Sequence, residues 1–292
     1  MLNLSRRFLL ASAAVMALVG CAAPGVAPEV RNALAPTGTL RVAVYPGSPT
    51  SLVRGPGQAT SPEVNSSSRP PPEGVGSSGR AALTPEMRGL TVEVGRELAR
   101  RLGVPAEIVV FERVPQIVDA LKEGKADFTI SNASPARARD IDFTPPVVQL
   151  ETGYLVRANS GIAALADVDR PGVRVGVAQG STSQGVLTRE LKLATVVPAA
   201  SVVAATEMLK KGELDAFATN KAILFDMSDR LPGSRVLDGR WGLEQLAVGV
   251  PKGREAAAAY LKAFVADPAT QALVLQAAQR AGLRGLAAPD AR

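Results

Sequence analysis

Apolar residues recur at helical spacing after Gly89. Leu90, Val94, Leu98 and Leu102 follow every four residues, predicting a helix with one buried face that Gly103 ends. Before it, Leu40-Arg41-Val42-Ala43-Val44 is a short β-branched run behind Thr37-Gly38 and predicts a first strand. After it come a strand over Glu107–Phe111, a helix with Ile117, Val118 and Leu121 turned inward, and a strand over Asp127–Ile130. A second series follows Thr144-Pro145-Pro146. It holds strands at Val147–Val156 and Arg174–Val177, a helix from Ser181 through Leu193, and a short strand at Val196-Val197. Ser201 caps a helix whose apolar positions include Val202, Ala205, Met208 and Leu209. Strands at Asp215–Ala218 and Gln245–Val250 and helices near Arg254–Ala266 and Pro268–Ala281 complete the chain. Such alternation predicts an α/β protein with mainly parallel sheets covered by helices. Between Pro46 and Arg80 the periodicity disappears. Those 35 residues include 7 Pro, 6 Gly and 8 Ser, which predicts a mobile loop.

The amino terminus has a different pattern. Arg6 and Arg7 precede an apolar run from Phe8 to Val19, too short to span a bilayer comfortably and suited to an export signal. Ser5-Arg6-Arg7-Phe8-Leu9-Leu10 loosely resembles a twin-arginine signal, and Sec and twin-arginine export both stay open. Leu18-Val19-Gly20-Cys21 looks like a lipobox, which implies cleavage before Cys21 and acylation of its thiol. Residues 1–20 are then a signal peptide, and the mature protein is held at the cell envelope by lipidated Cys21.

Composition narrows the chemistry. Without residues 1–20 the chain has 31 basic and 27 acidic residues, scattered rather than striped, so nucleic acid is not an expected partner. Cys21 is the single cysteine, so no intrachain disulfide supports the fold. Histidine is absent, which removes His-based triads, imidazole metal ligands and the usual general base. No metal and no cofactor are expected.

The order of motifs from Gly89 to Pro146 resembles the family 3 bacterial extracellular solute-binding proteins, receptors of amino-acid uptake transporters. The residues that carry the resemblance are Gly89-Leu90-Thr91-Val92-Glu93, Arg101-Leu102-Gly103, Leu121 to Asp127, and Ser134-Pro135-Ala136-Arg137 continuing to Asp142-Phe143-Thr144-Pro145. Val175 to Ser183, Leu209 to Ala216 and Leu246 to Gly253 continue it. The resemblance implies a two-lobed type II periplasmic-binding fold with a two-strand hinge. Its expected parts are a tether (21–37), lobe 1 (38–152, with the loop 46–80), lobe 2 (153–248) and a return to lobe 1 (249–292). It also implies a monomer that closes on a small solute and delivers it to an ABC permease in the inner membrane.

By spacing from Asp142-Phe143, Arg137 matches the family arginine that clamps a ligand carboxylate. The competing reading is a surface arginine, with Arg139 as the neighbouring guanidinium. Gly180-Ser181-Thr182-Ser183 opens a helix whose free N–H groups suit an anion. Thr182 and Ser181 are therefore candidates opposite Arg137, with Gln179, Asn132, Ser134, Tyr45 and Asn220 as further ligand-binding candidates. Tyr45 and Asn220 stand where relatives carry acids for an α-ammonium group. The expected ligand is therefore a small carboxylate or similar anion, with a common amino acid second. Two alternatives accompany the transport reading: a ligand-sensing receptor for a signalling partner, and a periplasmic lyase or dehydratase using Glu112 or Glu151.

Overall fold

The computed structural model describes residues 26–53 and 79–287. The expected signal peptide, Cys21 and most of the Pro46–Arg80 segment lie outside the described residues. Strand β1 (Leu40–Val44) is buried along its whole length and pairs in parallel with β3 (Ala106–Val110), which takes β2 (Gly79–Ala82) antiparallel on its other side. Helix α2 (Leu90–Leu102) lies against this sheet through the apolar face read from the sequence. It ends at Gly103, whose φ of 68° lets its N–H reach the last carbonyls. Helix α3 (Val114–Lys122) follows β3 and buries Ile117, Val118 and Leu121.

The remaining strands form one continuous sheet of seven. Its order is β4 (Thr129–Asn132), β10 (Gly242–Pro251), β5 (Ile141–Val156), β8 (Ala216–Asn220), β6 (Arg174–Ala178) and β7 (Thr195–Ala199), with β9 (Arg235–Val236) on the far part of β5. β6 runs parallel to both neighbours, whereas β10 is antiparallel to β4 and β5. β5 and β10 stay paired from Ile141 with Pro251 to Thr152 with Gly242 and so join the two halves of the molecule. Val42, Leu98, Phe128, Val248 and Leu261 belong to the core on one side of that pair, and Val175, Val177, Phe217 and Leu224 to those on the other. The two-lobed α/β type II architecture is what the motif order implied.

Each half fastens its strands to an aspartate, fully buried in the first half and partly buried in the second. Arg41, the second residue of β1, donates through Nε and Nη2 to Asp127 at 2.7 and 2.8 Å, and Arg254 reaches the same carboxylate at 3.1 Å. Arg174 opens β6 and bonds Asp215, which also takes Arg157. These two aspartates end the Leu-Lys-x-Gly-x-x-Asp stretches at Leu121 and Leu209. Paired this way, the charges lose little on burial, and the strand ends that carry the site are fixed.

Four departures from the sequence reading have plain causes. Residues 28–34, expected inside the tether, form α1 (Pro28–Leu34), because Val26, Val30, Ala33 and Leu34 place an apolar face on the first core. The first residues of the expected mobile loop are packed: Ser48, Thr50, Ser51 and Leu52 are buried. Ser51 Oγ accepts from the Tyr45 N–H and Thr91 Oγ1 donates to the Thr50 carbonyl, while Gly89, at φ 130°, leaves room for the Ser51 carbonyl where a Cβ would collide. Helix α4 (Thr182–Glu190) stops before Leu193 because Asp169 accepts the N–H groups of Lys192, Leu193 and Ala194 and draws that segment out of the helix. Helix α6 (Lys221–Arg230) is an additional element that the apolar periodicity does not mark; Asn220 caps it by accepting the Ile223 N–H.

The rest of the expected elements form with small shifts of their ends. They include α5 (Val202–Lys210), α7 (Glu255–Ala266) and α8 (Pro268–Arg280).

Candidate ligand-binding site

The carboxyl ends of β1, β4, β6 and β8 converge, and the loops that leave them surround a cavity of about 80 Å³ between the halves. One water needs roughly 10–15 Å³ of such space, so the cavity suits a small solute rather than a peptide. Tyr45, Asn132, Arg137, Gln179, Ser181, Thr182, Asn220 and Glu244 all line it.

Arg137 begins a single helical turn after β4. Ser134 Oγ accepts its backbone N–H at 3.4 Å, and its Nη1 donates to the Asn132 carbonyl at 3.3 Å. No other hydrogen bond of its guanidinium exists among the described residues, so most of its donors are available to a ligand. Burial pushes its pKa below the ordinary arginine value, and the nearby Glu244 carboxylate works against that drop. Arg139 is exposed and stands outside the cavity.

Opposite stands the N-terminus of α4. Ser181 caps it by accepting the Gln184 N–H at 3.1 Å, which leaves the N–H groups of Thr182 and Ser183 without helical partners. The Thr182 hydroxyl accepts from Asn132 Nδ2 at 3.1 Å and lies 3.5 Å from Glu244 Oε1. Asn132 in turn accepts the Gln245 N–H at 2.9 Å, so one side chain touches both halves and the joining strand. Asn220 donates to Glu244 Oε2 at 2.9 Å while capping α6. Tyr45 forms part of the wall, its hydroxyl 3.5 Å from Thr50 Oγ1, and burial raises its pKa. Gln179 is exposed at the mouth, where it accepts from Arg113 at 3.0 Å. Ser134 is not a lining residue; it supports the turn that carries Arg137.

Glu244 corrects the expectation of a cavity without an internal acid. It is 8 % exposed, and burial raises its pKa, opposed by Asn220, Arg137 and Thr182. No ion pair joins it to Arg137 among the described residues, so the cavity presents a separate cation and anion. The other acids differ. Glu112 is an exposed residue at the rim, and Glu151 pairs with Lys221 at 2.6 Å and Arg240 at 3.3 Å away from the cavity.

The two halves approach closely at the mouth. Gly180 has φ 73°, and a Cβ there would sit 2.5 Å from Pro115 Cγ. A Gly180→Ala protein is therefore expected to bind ligand about tenfold more weakly, with much of that loss recovered in Gly180→Ala/Pro115→Ala. Calorimetric titration of the four proteins of this cycle measures the coupling. Equal losses in both backgrounds would mean that backbone strain alone is responsible.

Residues 67–273 match the family model of the bacterial extracellular solute-binding proteins, family 3. This chain belongs to that family. The glutamine-binding protein of Geobacillus stearothermophilus is 27% identical over 173 residues, 58% of this chain; the match spans 66% of that relative's length. Two solved structures share the fold. The solute receptor for L-cysteine of Neisseria gonorrhoeae has a TM-score of 0.67 and 20% identity, covering 88% of this chain and 99% of its own. The ancestral amino acid-binding protein AncCDT-1, a precursor of cyclohexadienyl dehydratase, has a TM-score of 0.65 and 19% identity, covering 86% and 98%.

Proposed function

We propose that this family member is the substrate-binding lipoprotein of an ABC uptake system and that its solute is an α-amino acid. The lipid anchor at Cys21, envelope localisation and delivery to a permease belong to this reading. The observation that carries it is the pairing of Arg137 and Glu244 in one small cavity. A guanidinium offers parallel donors to a carboxylate, and a buried carboxylate compensates an ammonium. A zwitterion satisfies both, whereas a simple organic acid leaves Glu244 unmatched. The name of the Geobacillus stearothermophilus relative is consistent with an amino-acid solute. Arg137 and the α4 terminus come from different halves, so ligand bridges them and favours closure about β5 and β10.

The lyase or dehydratase alternative loses both of its sequence candidates to the rim and to an ion pair, and transfers to Glu244. Both oxygens of Glu244 already accept, from Asn220 and from Thr182, although burial raises its pKa. Full-length protein, unfolded and refolded to strip any carried solute, is titrated calorimetrically with amino acids and with their deamino acids. At least one amino acid is expected to bind with Kd at or below about 1 µM, unchanged in mass after recovery. Binding only of simple acids, or recovery of a converted product, would overturn the reading.

A further inference from the structure

We infer that the amino acid taken by this cavity carries a small, uncharged, aliphatic side chain. This assignment rests on the amino-acid reading above and adds to it which part of the ligand the apolar wall receives. Val114, Pro115, Ile130, Val202, Ile223 and Leu246 supply that wall. Val114 and Pro115 open α3, Ile130 lies in β4, and Leu246 follows Glu244 by two residues on the same face of β10. Val202 and Ile223 come from the first turns of α5 and α6 in the other half. The ligand's side chain is therefore enclosed from both sides by hydrocarbon.

Most of the charged and amide groups are already committed, and the buried Ser131 hydroxyl is the lining group without a hydrogen-bond partner among the described residues. Glu244, Asn220, Thr182 and Asn132 are connected by hydrogen bonds or close approach, and Arg137 faces the carboxylate. Of the other charged lining residues, Arg113 is bonded to Gln179 and Glu112 is exposed at the rim. No further charge inside the cavity would compensate an ionised ligand side chain, and burying one without a partner is strongly unfavourable. An outer chamber beyond Tyr45 and Val202 holds Asp226, which Arg230 pairs at 2.9 Å, and the solvent-exposed Glu112, so a long basic chain would leave the hydrocarbon wall to find a carboxylate.

Size agrees with polarity. About 80 Å³ corresponds to roughly five to eight waters. The amino-acid unit itself brings five heavy atoms, leaving space for a side chain of a few carbons. The close approach of Gly180 to Pro115 leaves this wall little room to retreat.

The test is a calorimetric panel of alanine, valine, leucine, glutamine, lysine and glutamate on the refolded full-length protein, repeated with Val202→Asp. An aliphatic member is expected to bind at least about 30-fold more tightly than glutamine and about 100-fold more tightly than lysine or glutamate. Val202 is the first residue of α5, where an aspartate suits the helix end and offsets part of the packing lost on the half-buried side chain, so Val202→Asp should remain folded, as a thermal melt checks. It is expected to lose at least about tenfold for the aliphatic ligand and to gain for lysine. Tightest binding of glutamine, lysine or glutamate overturns the side-chain assignment while amino-acid capture stands. Unchanged aliphatic binding in a folded Val202→Asp protein also overturns it. No binding of any amino acid by the wild type removes this inference together with the reading beneath it.

Discussion

Binding of every carboxylate ligand is expected to fall about a thousandfold in an Arg137→Ala protein. Truncating one member of a buried, hydrogen-bonded charge pair costs roughly 2–5 kcal/mol, and each 1.4 kcal/mol is about tenfold in Kd. Arg137 belongs at the upper part of that range because its guanidinium is spent on one long bond to the Asn132 carbonyl and is otherwise free for the ligand. The same poverty of internal partners separates function from folding. Without ligand, a desolvated cation with one weak acceptor contributes little to stability, and its burial already lowers its pKa. The ligand-free Tm of Arg137→Ala should therefore equal or exceed that of the wild type. Arg137→Lys should recover only part of the affinity, since an ammonium cannot offer two parallel donors. Calorimetry beside thermal melts checks both expectations. A full loss of binding accompanied by a large fall in Tm would make Arg137 a structural residue.

Glu244→Gln gives the second large effect, and its direction depends on the ligand. The variant is expected to bind an amino acid about a hundredfold more weakly, because the ammonium then enters a low-dielectric cavity facing a neutral amide. It should bind the matching deamino acid as well as the wild type or better, since that ligand brings no cation. Loss of both ligands alike would contradict the assignment of Glu244 to the ammonium group.

Acid also separates the two proteins. Burial raises the Glu244 pKa, so the free protein keeps this proton at pH values where an ordinary glutamate, near 4.3, has lost it. An ammonium ligand requires the ionised form, so binding releases that proton. Amino-acid affinity should rise with pH from the ordinary value up to the raised one and be flat above it, and this rise should vanish in Glu244→Gln. Stability runs the other way. Because the folded protein holds more protons than the unfolded chain across that window, ligand-free stability falls as pH rises through it. Glu244→Gln should consequently raise the ligand-free Tm at neutral pH, by roughly 2–4 °C for each kcal/mol gained in a chain of this size.

Much of the architecture was legible because it is written in local patterns. The i, i+4 run from Leu90 to Leu102 needs only its own face and a terminating Gly103. The twin Asp127 and Asp215 anchors sit in similar stretches that mark the same corner of each half. The place of Arg137 in the cavity wall was legible through its fixed distance from Asp142-Phe143. Helices α1 and α6 were harder, since α1 is a seven-residue segment stabilised by a surface far along the chain and α6 begins on a lysine buried beside Glu151. Glu244 was missed for a related reason. The apolar run that marks this strand begins at Gln245, whereas β10 begins at Gly242 and carries the alternation Glu244, Leu246, Val248, Val250, all four buried, which turns Glu244 inward. What no local pattern contains is that Asn220 and Thr182, both from the other half, would meet it there.

A crystal structure of the full-length protein with its bound amino acid tests the shared Arg137 and Glu244 grip most directly. The ligand carboxylate should lie within about 2.7–3.1 Å of Arg137 and of the first α4 N–H groups, and the ammonium equally close to Glu244. A ligand whose ammonium faces away from Glu244, or whose carboxylate leaves Arg137 unpaired, would contradict it.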